Sequence, residues 1–230
     1  MLRHIKLLIF DLDFVAFDSV TLKVRALRQC LISFADAIPQ NVRLPEASDV
    51  EDGYRALGYK WLESLDLGLG ELPSSLGDAY RVHERRLIEA GLGQVYPNLQ
   101  PVLDACRRDE LRLALGADAG RDYLLEVSDR HGLNDIFDVS LCVEEFGMGS
   151  VYEMLEEAVR LAEVNRSEAI VLATRPEYFR AARELNLATI GCGWGLERRE
   201  CLADADSQAL APSEIVSAVL RADELAASDD

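Results

Sequence analysis

With 230 residues, 49% of them hydrophobic and 28% charged, the chain can bury one Rossmann-sized core plus a smaller inserted domain, which excludes a largely disordered protein. Its 41 Asp and Glu against 24 Lys and Arg leave a formal net charge of −17, which repels nucleic-acid phosphates and anionic membrane surfaces. Five cysteines, odd in number and without a CxxC pair, offer neither a zinc site nor a disulfide framework.

In chain order, residues 5–10 form a continuous apolar run that ends at Asp11-Leu12-Asp13. An unbroken run suits a parallel strand covered on both faces, and this one is too short to span a bilayer and lacks a signal-peptide cleavage pattern. A reducing cytoplasm is the expected location. Residues 22–37, 54–65 and 76–90 carry helical spacing, with no convincing strand between about 20 and 96, and Pro39, Pro45, Gly68, Gly70, Pro73, Gly91 and Gly93 punctuate them. They predict an all-helical insertion over residues 17–96.

Strand and helix then alternate. Helices are expected at 101–108, 121–131, 152–162 and 177–185, the last stopping at Asn186, and strands at 111–115, 140–143, 169–173 and 188–190. This order predicts an α/β fold: a Rossmann-like, doubly wound, mostly parallel sheet formed by residues 1–16 and 97–222. Residues 223–230 read as a frayed polar tail.

Two aspartates one residue apart at the carboxyl end of the first strand sit where open α/β sheets bind ligands. Asp11 is a candidate nucleophile or metal ligand and Asp13 a candidate general acid/base or second ligand. A solvated or turn-capping Asp-x-Asp is the plain alternative.

The run Leu7-Leu8-Ile9-Phe10-Asp11-Leu12-Asp13, followed by Phe17-Asp18-Ser19, resembles the first motif of the haloacid dehalogenase (HAD)-like superfamily. Tyr96-Pro97 resembles the re-entry point of its phosphoglycolate-phosphatase and β-phosphoglucomutase-like branch, which carries a helical cap inserted after the first motif. His131-Gly132-Leu133 with Ile136-Phe137-Asp138, and Thr189 through Gly195, resemble later stretches of the same branch. The resemblance implies that Asp11 attacks a phosphoryl group and Asp13 protonates the leaving alcohol. It also implies a magnesium ion held by the first Asp, a backbone oxygen and a later acidic pair, with a Ser or Thr and a Lys on the phosphoryl oxygens.

The motifs are depleted. Phe14 and Val15 stand where the family has Gly-Thr, and Gly116 or Ala117 where it has a hydroxyl. Asp118, next along, is expected to cap the following helix. The chain's lysines are Lys6, Lys23 and Lys60, so none lies near Ser150, where the third motif needs one; residues 145–150 look shortened there. For the fourth motif, one register places Ala173 at the metal-binding Asp with Glu177 as the second acid, and the other places Thr174 there with Tyr178. Arg175 is a candidate substrate-binding group, supplying positive charge in place of the lost lysine or metal; otherwise it is a surface arginine at a helix start.

The expectation is a HAD-like fold with weak or no phosphatase activity, serving as a binding or regulatory module for a small phosphorylated molecule or a protein partner. Mg²⁺ would be held weakly, through Asp11 and Asp13. The alternative is a divergent phosphatase acting on a small phosphoester through Asp11 and Asp13, with Arg175, Glu177 or the basic residues Lys60, His83, Arg85 and Arg86 in new roles. A third possibility is a structural partner protein, for which Phe14, Phe17, Tyr54, Tyr59 and Trp61 are the aromatics of interest.

Overall fold

The computed structural model describes residues 4–39, 43, 45–57, 74–147, 150–195 and 199–226. The chain divides into two compact units, one formed by residues 1–18 with 94–230 and the other by residues 19–93.

The first unit is built on six parallel strands: β1 (Leu7–Asp11), β4 (Arg112–Ala117), β5 (Val139–Cys142), β6 (Ala169–Ala173), β7 (Ala188–Cys192) and β8 (Ser207–Ala209). Their order is β5-β4-β1-β6-β7-β8, with β1 at the centre between β4 and β6. Every residue of β1 and β6 is buried, as expected for strands covered on both faces. Leu7 and Ile9 pack on one face with Met154 and Leu155 of α6 (Val151–Leu161) and Phe179 of α7 (Pro176–Glu184). Strand alternation sends Leu8 and Phe10 the other way, where Phe10 meets Phe137 edge-on at 5.7 Å between centroids. Helices α4 (Leu99–Arg108), α5 (Arg121–Arg130) and α8 (Ile215–Ala226) complete the unit. The fold is the expected doubly wound α/β sheet.

Three features depart from expectation. Strand β8 lies outside the expected strands, because Ser-Gln-Ala has no apolar run. Phe17–Asp18 (β2) and Gln94–Val95 (β3) form a small antiparallel ribbon within this unit, inside the stretch expected to be all-helical. Helix α8 continues through Ala226, and buried Asp223 accepts bonds from the backbone N–H groups of His4 (2.7 Å) and Ile5 (2.8 Å), so the expected frayed tail is helical to that point.

The second unit contains α1 (Val20–Ser33), α2 (Ala47–Leu57) and α3 (Ser74–Glu89), with α1 packed on both others. Inside it, buried Lys23 and Glu84 pair at 2.8 Å and the Tyr80 hydroxyl donates to Glu84 at 2.6 Å. Arg85 and Arg86 are exposed on α3 and His83 is half-buried, the arrangement of a solvated face. Lys60, Tyr59, Trp61, the side chain of Tyr54 and residues 58–65 of the expected second helix lie outside the described residues, as do Gly68, Gly70, Pro73, Met148, Gly149 and residues 227–230.

Candidate functional site

Parallel register brings the carboxyl ends of β1, β4 and β6 together: Asp11 pairs with Gly116, and Phe10 with Leu172. The residues just beyond these ends are Leu12 to Phe17, Asp118, and Thr174 with Arg175.

The loop after β1 closes on itself. Ala16 N–H donates to Asp11 O (3.2 Å), Phe17 N–H to Leu12 O (2.8 Å) and Phe14 N–H to Phe17 O (3.0 Å). Phe14 adopts a left-handed backbone with φ 71°, a conformation that costs a bulky residue about 1–2 kcal/mol and a glycine nothing. The Phe14 ring is buried. Gly195 explains how this loop is held. A Cβ there would fall 1.8 Å from the Phe14 carbonyl oxygen, and the neighbouring Trp194 indole N–H donates to Val15 O at 3.1 Å. Phe17 is also buried, its ring 4.8 Å from that of His131.

Both candidate catalytic carboxylates are buried and occupied. Asp13 accepts a 2.6 Å hydrogen bond from the Tyr123 hydroxyl, a contact between residues 110 positions apart that no local pattern announces. Asp11 is fully buried and meets Arg175: Nη2 lies 3.2 Å from Oδ1 and 3.3 Å from Oδ2, and Nε 3.3 Å from Oδ2. The same guanidinium donates through Nη1 to Asp118 at 2.8 Å, lies 3.5 Å from Glu177, and sits over the Tyr178 ring at 5.0 Å. Arg175, at the residue before α7, is 15% exposed, so it is not the surface arginine of the plain alternative.

Two further expectations change here. Asp118 does not cap the following helix, whose N-cap residue is Gly120; it pairs with Arg175 instead. Between the two fourth-motif registers, Tyr178 rather than Glu177 comes against Asp11, while the Glu177 side chain is 44% exposed. The Tyr178 hydroxyl is buried close to Asp11 yet short of full hydrogen-bond geometry, and the buried Thr174 Oγ1 also has no hydrogen-bond partner.

Burial pushes the Asp11 carboxyl up from 3.8 to about 7, and the neighbouring Asp13 charge adds to this while Arg175 opposes it. Burial works against the Arg175 cation, but the Asp11, Asp118 and Glu177 carboxylates hold it well above its ordinary value, so it stays charged. Burial and the Asp11 charge raise both Tyr178 and Cys192 well above theirs, leaving a neutral phenol and a thiol.

Magnesium needs near-octahedral oxygen ligands at about 2.0–2.1 Å. Here Ala173 and Thr174 stand at the positions for the later acid, and the Asp11 oxygens face a guanidinium. Among the described residues no group of three or more His, Cys, Asp or Glu side chains is disposed to hold a metal. The donor set does not fit the ion. Ala117, which ends β4, carries no hydroxyl, and the unit's one lysine, Lys6, precedes β1 and pairs with Glu168.

A family model described as haloacid dehalogenase-like hydrolase matches residues 5–172. No curated protein matches the chain. Among solved structures, a putative phosphoglycolate phosphatase from Lactobacillus plantarum superposes with a TM-score of 0.78 at 13% identity, over 94% of this chain and 99% of that one. A putative β-phosphoglucomutase from Thermotoga maritima gives 0.73 at 20% identity, over 94% and 99%. CbbY from Rhodobacter sphaeroides, solved as a variant with xylulose-(1,5)bisphosphate, gives 0.72 at 18% identity, over 91% and 96%. These likenesses are of fold. No described helix is long and apolar enough to cross a membrane.

Proposed function

The chain belongs to the haloacid dehalogenase-like hydrolase family, and from that premise we propose that it is a binding or regulatory module with weak or no phosphatase turnover. The observation that carries this is the buried contact between Arg175 and both oxygens of Asp11. A nucleophile whose lone pairs face a fixed guanidinium is poorly placed for in-line attack, and the side chains around it do not fit a divalent ion that would shield an incoming phosphate. Asp13 is likewise held by Tyr123. Each missing charge-stabilising group costs roughly 10²–10³ in rate, though such losses do not multiply cleanly.

Electrostatics bear on the ligand. Asp11, Asp118 and Glu177 share one arginine, and Asp13 lies close enough to Asp11 for its charge to act there. A phosphate dianion would meet net negative charge, so a protein partner is favoured over the small phosphorylated molecules typical of the family. The overall charge of −17 also weighs against nucleic acid.

The test is hydrolysis of a panel of small phosphoesters with Mg²⁺ by the wild type and by Asp11→Asn. The expected result is background release from both; turnover that vanishes in Asp11→Asn would overturn the proposal. A second reading, a divergent phosphatase using Asp11 and Asp13, draws on the same Arg175 contact, since a guanidinium beside a nucleophile can shield phosphoryl charge. It predicts Asp11-dependent turnover that persists when Mg²⁺ is withheld.

A further inference from the structure

The geometry points to Arg175 as the resident cation of this site: Asp11, Asp118 and Glu177 all converge on its guanidinium, which excludes a divalent ion from Asp11. This rests on the proposed function, in which the site is not metal-dependent, and adds the residue responsible. Three carboxylates, from the end of β1, the residue after β4 and the first turn of α7, converge on one guanidinium at 2.8 to 3.5 Å. A tyrosine ring closes its face at 5.0 Å. A planar fork of five donors distributes itself over several carboxylate oxygens, as a metal does, but with fixed geometry and a single charge. One residue earlier in the chain the Thr174 hydroxyl is buried with no hydrogen-bond partner, a polar atom at a fourth-motif position with nothing to bind. Two side chains on one segment therefore separate this site from a metal centre: an acid is missing at position 174 and a cation stands at position 175.

Restoring the acid alone leaves the guanidinium in place, so Thr174→Asp gains no metal site. Thr174→Asp combined with Arg175→Ser removes the resident charge from Asp11 and adds a carboxylate at the fourth-motif position, and this pair is expected to recruit a divalent cation.

The test is direct Mn²⁺ binding, read from loss of the free-ion electron paramagnetic resonance signal and by calorimetry. The wild type, Thr174→Asp, the double variant and the double variant carrying Asp11→Asn are compared. Saturable binding by the double variant, about tenfold or more tighter than by Thr174→Asp and abolished by Asp11→Asn, is expected. Equal binding by Thr174→Asp and the double variant, Asp11-dependent binding by the wild type, or a folded double variant that stays silent each overturn the proposal. If the double variant is unfolded without metal, recovery of its far-UV circular dichroism by millimolar Mg²⁺ supports the proposal and failure to recover counts against it. Turnover by the wild type without metal would overturn the proposed lack of activity and leave the role of Arg175 standing.

Discussion

Replacing Asp11 by Asn isolates the cost of keeping a charge buried at the end of β1. The native carboxyl titrates at about 7 instead of 3.8, chiefly because it is fully buried. Between those values the folded chain holds a proton that the unfolded chain has lost. The associated stability is therefore fully present below about pH 4 and lost as pH rises through about 7. At about 1.4 kcal/mol per pH unit over that interval the loss totals about 4 kcal/mol, of which about 2.5 kcal/mol falls between about pH 5 and pH 8. Asparagine has no proton to lose, and other titrating groups are common to both chains. Urea denaturation of wild type and Asp11→Asn at the two pH values should show the stability difference moving in favour of the variant by about 2.5 kcal/mol at the higher pH. A difference that stays constant within about 0.5 kcal/mol, or that moves the other way, would show that Arg175 keeps Asp11 ionised throughout and would refute the reasoning.

Three other perturbations test the scaffold. Phe14→Gly and Phe14→Ala both lose a buried ring, at about 3–5 kcal/mol, but the glycine variant should be more stable by about 1 kcal/mol because φ is 71° there; chemical denaturation giving the reverse order would contradict the left-handed assignment. Gly195→Ala drives a Cβ into the Phe14 carbonyl and should cost about 3 kcal/mol or more, seen as a lowered Tm. Lys23→Met strips the charge partner from buried Glu84 and should cost about 3–5 kcal/mol at pH 7, with part regained in Lys23→Met combined with Glu84→Gln.

The central sheet is legible in the sequence because β6 and β1 up to Phe10 are unbroken apolar runs, β4 is apolar after Arg112, and their helices carry a clear period. Two-residue β2 and β3 and the polar β8 carry no such signal; they exist because neighbouring backbone offers them partners. At the site, Asp11 and Asp13 stand out by spacing alone. Asp118 reads locally as a helix cap, but a desolvated arginine from 57 positions away outcompetes a single backbone N–H. The choice between Glu177 and Tyr178 depends on which face of α7 turns toward β1, a fact that the local pattern leaves open. Tyr123 gives no signal in the sequence, since its partner is set by tertiary packing.

The central claim is that Asp11 is committed to Arg175 and takes no magnesium. Calorimetric titration of the wild type with Mg²⁺, with inorganic phosphate, and with both together tests it most directly. The account predicts no saturable heat from Mg²⁺ at millimolar concentration, with or without phosphate. Magnesium binding that Asp11→Asn abolishes and that tightens phosphate binding would contradict it.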